Sequence, residues 1–486
     1  MSFLDMVFLG ASLAVPAWWI LAPDWKRPLL RIAPAGLVGL AIIQLALEDF
    51  YWQLVPAYLV LAVVVVLSVV PRLEVRGFAR WAGKAGLVLL MLAAIAPWTM
   101  FLPVPALPRP EGPYAVGTET FRWIDTQRDE PSTEDPSDHR NVIVQAWYPA
   151  ADNSKGRHSV YIDGLGHLPP SISLLPSFLM AHFGHIDTHG IVDAPVSNTQ
   201  AEWPVIIFMP GYGAPRAFYT GLVSNLASKG YIVLALDHPY ESAVTKLADG
   251  RIATTVEHFD KNDPDRTRFM EGRLNLRIGD VRFAIDQMAR PGAFGPRLSG
   301  RLDASHIAAA GHSLGGATAA AAMDRDPRIK AAVNVDGTLY GGLSGDVSPR
   351  PFLLVESDHS ETPHSDRYET GNAKFFQQFR GGDYRFELTH ANHFSFTDAL
   401  LFLSPPARFA ASFLIGGGRG AVDTQRTTAD ILAAFLAGPL GGDPQDASSV
   451  AGQHPGIVNR PLQGDAFPST QPDSLPNSST STTPQR

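Results

Sequence analysis

The sequence of 486 residues contains no cysteine. Disulfides, thiolate metal sites and a cysteine nucleophile are thereby excluded, while the redox compartment stays open. No phosphate-binding glycine pattern accompanies any predicted strand, so no nucleotide cofactor is expected. Positive charge is not in excess. The formal net charge is −8, which argues against nucleic acid as a partner. Ionisable residues are sparse in the first hundred positions, and apolar residues are sparse in the last few dozen. The hydrophobic content of 45% is therefore unevenly spread. Three regions are expected: 1–104, 105–440 and 441–486.

The first region holds four apolar segments, Phe3–Leu21, Leu30–Leu47, Trp52–Val70 and Ala82–Phe101. Each is near the ~20 residues that a helix needs to cross a hydrocarbon core. The second is weakened by Arg31 and Pro34. A cleaved leader explains only the first segment, and no basic stretch precedes it. Four crossings are therefore expected. Lys26, Arg27 and Arg31 mark the first loop, and Arg72, Arg76 and Arg80 the third, as cytoplasmic. An even number of crossings then puts the N-terminus and the large domain on the outer face. With almost no charge inside the spans, the region reads as an anchor in a lipid bilayer and not as a transport path.

The middle region alternates apolar strands with helices. Strands are expected at Val142–Tyr148, Val205–Met209, Tyr231–Leu236, Ile307–Ala310, Ala331–Val335, Phe352–Glu356 and Arg385–Leu388. This alternation is the pattern of an α/β fold, a mainly parallel sheet with helices on both faces. Asp125–Arg140, rich in charge and proline, reads as a loop. A Pro-broken apolar patch, Leu168–Phe183, reads as packing against the sheet or as a cover over an acyl pocket. Pro264–Arg290 reads as one long helix, with Arg273, Arg277, Asp280 and Arg282 on a solvated, salt-bridged face. His238 reads as a loop histidine. Thr427–Ala437 reads as a closing helix. From Gly441 onward the polar composition predicts no folded structure.

The chemistry centres on Gly311-His-Ser-Leu-Gly-Gly316. This is G-x-S-x-G between an apolar run and a run of small residues, the setting of a nucleophile elbow that presents Ser313. The backbone N–H of Leu314 is then placed to meet an oxyanion. The loop Pro210–Arg216, after an earlier strand, places Tyr212 N–H as the second donor. A serine hydroxyl needs a base, and the base needs a carboxylate. His393 is the expected base, with His390 as its rival. Asp336 and Asp358 each follow a strand's C-terminal end, where sites form in open sheets. Spacing leaves both open as the acid. No metal or cofactor enters this chemistry.

Taken together, GPYAVGT at 112–118, VQAWYP at 144–149, FMPGYGAPRAFYTGLVSNLASKGYIVLALDHPYES at 208–242, GHSLGGAT at 311–318, NVDGTLYG at 334–341, PFLLVES at 351–357 and HANHFSFTD at 390–398 form a pattern. It resembles the plasma-type platelet-activating factor acetylhydrolases and their bacterial relatives, over roughly 112–436. The resemblance implies an α/β-hydrolase fold and calcium-independent hydrolysis of short or oxidised acyl chains from phospholipids. It also implies Ser313 as nucleophile, Asp336 as acid, His393 as base, and Tyr212 and Leu314 as oxyanion donors. Lipases, cutinase-like enzymes and polyester hydrolases share the loop and the elbow but take their acid where Asp358 lies. A reading from another class is an inactive hydrolase-fold membrane receptor or scaffold, against which the intact serine, acid and histidine speak.

Overall fold

The apolar segments of the first hundred residues form helices α1 (Phe3–Leu21), α2 (Ala33–Leu47), α3 (Val55–Val69) and α4 (Phe78–Met100). These come from a computed structural model that describes residues 3–21, 32–48, 50–69, 78–100, 104–164, 167, 182–256, 265–341 and 344–462. Among the described residues, three helical stretches are long and apolar enough to cross a membrane: Phe3–Leu21, Trp52–Val69 and Trp81–Met100. The second expected span, Leu30–Leu47, is described as a shorter apolar helix, Ala33–Leu47. Helix α2 has 15 residues, and a rise of ~1.5 Å per residue leaves it short of a ~30 Å core. Its predicted first residues, 30 and 31, lie outside the described residues, as do the loop residues Lys26, Arg27, Arg72 and Arg76. Two hydrogen bonds through Gln44 tie three of these helices together. Gln44 Nε2 of α2 donates to Asp5 Oδ1 of α1 at 2.9 Å, and the Tyr58 hydroxyl of α3 donates to Gln44 Oε1. In an apolar bundle such bonds fix which faces meet.

Beyond the helices the chain builds a ten-stranded sheet. A long antiparallel hairpin opens it, β1 (Ala115–Asp129) and β2 (His139–Ala150), with the short β3 (Gly190–Val192) beside β1. The predicted loop Asp125–Arg140 is thus only the turn 130–138. Then come β4 (Trp203–Met209), α5 (Thr220–Ser228) and β5 (Ile232–Asp237). A separate small hairpin, β6 (Val244–Lys246) and β7 (Ile252–Thr254), leads to the long α6 (Arg266–Met288) and the one-turn α7 (Gly295–Leu298). The elbow unit follows as β8 (Leu302–His312), α8 (Leu314–Arg325) and β9 (Ile329–Val335). The last units are β10 (Phe352–Ser357), α9 (Asp366–Gln378), β11 (Tyr384–Leu388), α10 (Pro405–Ile415), α11 (Ala421–Ala437), α12 (Ala447–Ala451) and β12 (Ile457–Asn459). The sheet order is β12-β11-β10-β9-β8-β4-β5-β2-β1-β3, and the run from β11 to β5 is parallel throughout.

Burial on both faces explains why the central strands read as unbroken apolar runs. Val205, Ile207 and Met209 of β4 face α6, α8 and α9 in one core, while Ile206 and Phe208 face α5 and α11 in the other. The expectation of an unfolded stretch from Gly441 fails over 441–462. Ala447 and Ala451 of α12 are buried on the second core, and β12 pairs antiparallel with β11. Small alanines and three backbone pairings suffice there, so little apolar composition is needed. Of the patch Leu168–Phe183, residues 168–181 lie outside the described residues. Phe183 itself is buried, with its ring stacked on Phe402 at 5.0 Å.

Asp398 shows what burial does to a carboxylate in this fold. Its Oδ2 accepts the Tyr161 hydroxyl at 3.0 Å, and its Oδ1 accepts Gly221 N–H at 3.3 Å near the start of α5. Burial raises its pKa from the ordinary 3.8 to about 7, against the pull of these donors. A pKa raised in the folded state adds stability that is full below the unfolded pKa and is lost as pH rises through the folded one. The thermal midpoint is therefore expected to fall between about pH 4 and 7 through this group. Asp398→Asn, followed by calorimetry across that range, is expected to flatten the fall; an unaltered slope counts against the assignment.

Candidate active site

Ser313 follows the last residue of β8 and precedes the first of α8, with φ 55° and ψ −123°. A non-glycine residue takes such angles only where its surroundings impose them. Here they do. Ser313 N–H donates to Val335 O at 2.8 Å, and Ser313 C=O accepts Ala317 N–H at 3.1 Å. The glycines make room. A Cβ on Gly315 would lie 2.1 Å from Met209 O, and one on Gly311 would lie 2.4 Å from the Gly315 backbone. The loop after β4 thus sits directly on the elbow. A Cβ on its Gly211 would come within 3.3 Å of Ser313 Cβ. Leu314, opening α8, is buried. Tyr212 is partly buried, its ring edge-on to Phe269.

Asp336 follows β9, also at positive φ (54°). Its carboxylate receives four hydrogen bonds. Oδ2 accepts His393 Nδ1–H at 2.7 Å and Ser357 Oγ–H at 2.9 Å. Oδ1 accepts Ser357 N–H at 3.0 Å and His364 Nε2–H at 2.9 Å. Burial alone would raise its pKa; the bonds from His364 and His393, with their positive field, outweigh that and hold it well below the carboxylate range. With Nδ1–H donating to Asp336, Nε2 is the ring nitrogen of His393 left to accept a proton. The side chain is one-third exposed, in a one-turn helix that Asn392 caps by accepting Phe394 and Ser395 N–H. That is the protonation pattern of a general base.

The two rivals are engaged elsewhere. Asp358 accepts Ser360 N–H and Oγ–H and His390 N–H. His390 is exposed, its Nδ1 2.9 Å from Glu361 Oε1. Among the described residues, three groupings bring His and acid ligand atoms within 4.8 Å: His312-Asp336-His393, Glu356-His359-Glu369 and Asp358-Glu361-His390. In the first, His312 has both ring nitrogens in hydrogen bonds. In the second, the Arg385 guanidinium already pairs with Glu356 and Glu369, which a cation there would have to displace.

Four residues that the sequence reading missed hold this site. His364 and Ser357 hold the Asp336 carboxylate. Tyr219 and His312 connect its two halves. Gly211 N–H donates to the Tyr219 oxygen at 2.9 Å, Tyr219 O–H donates to His312 Nδ1 at 2.9 Å, and His312 Nε2–H donates to His393 C=O at 3.0 Å. Burial pushes the His312 pKa down to about 3, with the neighbouring His393 adding to the effect, so this relay runs through a neutral ring. The residue before the serine in G-x-S-x-G was the one available signal.

The helix α6 departs from its expected solvated face. Arg277 and Asp280 are buried, together with Arg140, Glu130, Glu241 and His238, while Arg282 is half-exposed and Arg273 partly exposed. Asp280 accepts Arg140 Nε–H at 3.1 Å and Nη2–H at 2.7 Å, and His238 Nδ1–H at 2.9 Å. Full pairing is what permits such charges inside. Charges spaced along a helix look alike in sequence whether they meet water or partners.

The sequence profile described as "Platelet-activating factor acetylhydrolase, isoform II" matches residues 101–270 and 291–406. The chain is 26% identical over 281 residues to a probable 1-alkyl-2-acetylglycerophosphocholine esterase of Arthroderma benhamiae, covering 53% of this chain and 67% of that one. It is 25% identical over 287 residues to the platelet-activating factor acetylhydrolase of Cavia porcellus, covering 53% of this chain and 61% of that one. The match thus spans about two thirds of these relatives' length. Among solved structures, a ferulic acid esterase from Streptomyces cinnamoneus superposes with a TM-score of 0.59 at 26% identity, over 73% of this chain and 99% of that one.

Proposed function

Because the chain belongs to the platelet-activating factor acetylhydrolase isoform II family, we propose that it is a serine ester hydrolase acting on short or oxidised acyl esters of phospholipid-like substrates. The observation that carries this reading is the 2.7 Å bond from His393 Nδ1 to a buried Asp336, beside a serine held in elbow geometry. His393 Nε2 takes the Ser313 hydroxyl proton as Oγ attacks the ester carbonyl. Asp336 keeps the ring in the required tautomer and stabilises it when protonated. The N–H groups of Tyr212 and Leu314 receive the oxyanion, and one such donor is worth about 3–4 kcal/mol. The imidazolium then protonates the leaving alcohol oxygen as its C–O bond breaks. Water, deprotonated by His393, frees the acyl group from Ser313 and restores the enzyme. Side chains and backbone supply every step, and no metal or cofactor takes part.

The same reading takes 1–104 as a membrane anchor of four crossings, which puts the catalytic part from 105 on the outer face. Apart from the apolar helices, support comes from α10. Its Phe409, Phe413 and Leu414 are 68%, 75% and 84% exposed. It starts where Ser404 N–H donates to Met100 O at 2.9 Å and Ser404 Oγ–H to Thr99 O at 2.5 Å, at the end of α4. An apolar helix leaning on the end of a span suits a lipid surface.

The test is hydrolysis of p-nitrophenyl esters from acetate to palmitate by the full chain in detergent micelles. Activity is expected to fall steeply with acyl length. Undiminished activity on palmitate would move the protein to the lipase, cutinase-like or polyester-hydrolase reading. The likeness to a ferulic acid esterase favours adding a hydroxycinnamate ester to the panel; preference for it points to a non-lipid ester.

A further inference from the structure

The peptide that carries Tyr212 N–H is held from behind by a buried arginine. Arg277 of α6 is 1% exposed. Its Nη1–H donates to Pro210 O at 2.6 Å and its Nη2–H to Gly211 O at 3.3 Å. The rest of its guanidinium is locked on Glu241, with Nε–H to Oε2 at 3.1 Å and Nη2–H to Oε1. Glu241 is itself buried, in the turn after β5, where its N–H donates to His238 O at 3.1 Å.

A trans peptide is planar, so its C=O and N–H point in opposite directions. The first of the two peptides displays this. Pro210 C=O points to Arg277, and Gly211 N–H points away, to Tyr219 on the side of His312. The second peptide has its carbonyl, Gly211 C=O, on the same guanidinium. Its N–H, that of Tyr212, is thereby turned away from the guanidinium, in a loop whose Gly211 lies against Ser313. We propose that Arg277, braced by Glu241, is a positioning residue that aims Tyr212 N–H at the developing oxyanion on the ester bound to Ser313. An arginine suits the task because one planar fork serves two carbonyls and a carboxylate at once. This inference rests on the esterase reading above.

The test compares an ester with its thionoester, C=S in place of C=O. Sulfur accepts hydrogen bonds poorly, so an aimed donor speeds the oxygen ester more. Both substrates are assayed on one preparation, which makes the ratio of kcat/KM values independent of the fraction folded. Arg277→Gln is expected to lower kcat on the oxygen ester by about 10²-fold, the cost of a lost oxyanion donor, with KM little changed. The oxygen-to-sulfur ratio is expected to fall at least about tenfold with it. Glu241→Gln, which keeps the shape of the side chain, and Arg277→Lys are expected to fall between Arg277→Gln and wild type. Asp336→Asn is expected to slow both substrates alike and leave the ratio unchanged. A dead Ser313→Ala beside Arg277 and Glu241 variants with the wild-type ratio overturns the positioning role alone, whatever their stability. An active Ser313→Ala overturns the esterase reading, and this role with it.

Discussion

Ser313→Ala is expected to lower turnover of p-nitrophenyl acetate by about 10⁵–10⁶-fold, the loss seen when a serine acting in concert with its base is removed. Labelling by a fluorophosphonate should vanish with it. Strain adds a second readout. Ser313 holds φ 55° and ψ −123°, a conformation costing on the order of 1–3 kcal/mol for a residue with a side chain. Ser313→Gly should therefore be as inactive as the alanine variant yet raise the thermal midpoint. Failure of the probe to label the wild-type chain at Ser313 would leave the inactive-scaffold reading standing in place of the enzyme.

Asp336→Asn is expected to cost about 10⁴-fold in kcat, since the amide no longer fixes the proton on Nδ1. Asp358→Asn should leave kcat within a few-fold of wild type, because that carboxylate serves Ser360 and the His390 backbone. The pair of variants measured side by side distinguishes the two families of acid placement; the opposite order would assign the role to Asp358. His364→Gln gives an internal check. Removing one of the four donors to Asp336 should cost kcat about tenfold, in line with the roughly 1.5–3 kcal/mol of a hydrogen bond to a charged group, while binding of the ester is little affected.

Much of the scaffold was legible because buried parallel strands carry their own punctuation. Val205–Met209 ends at Pro210-Gly211, and Ile307–Ala310 runs into Gly311, so apolar runs and their stops were visible together. The elbow was legible for a further reason: tight turns admit few residues, and glycines at 311 and 315 are among them. The acid was not legible from spacing. Asp336 and Asp358 end neighbouring strands, and only the path of the chain after β11 decides which one His393 meets. The charges on α6 were misread because periodicity records where a side chain points along a helix and not what waits there. Arg277 meets two carbonyls that arrive from residues 210 and 211, and Asp280 meets an arginine from residue 140. Neither partner is near in sequence. The end of the fold was missed because β12 needs backbone pairing more than apolar side chains.

The junction of α10 with the end of α4 has a consequence for how such an enzyme would be supplied. A catalytic site tethered at a bilayer does not sample the aqueous volume. It samples a sheet of lipid, and what governs encounter is the mole fraction of substrate within that sheet. Diluting the bulk solution then leaves the rate unchanged, while diluting the substrate with inert lipid lowers it. Product would follow the same division: a released short acyl chain departs into water, and the remaining lysolipid diffuses away in the plane. Phe409, Phe413 and Leu414 would thus do more than hold the domain down. They would fix the height at which Ser313 meets a surface whose reactive esters all lie within a few ångströms of one depth.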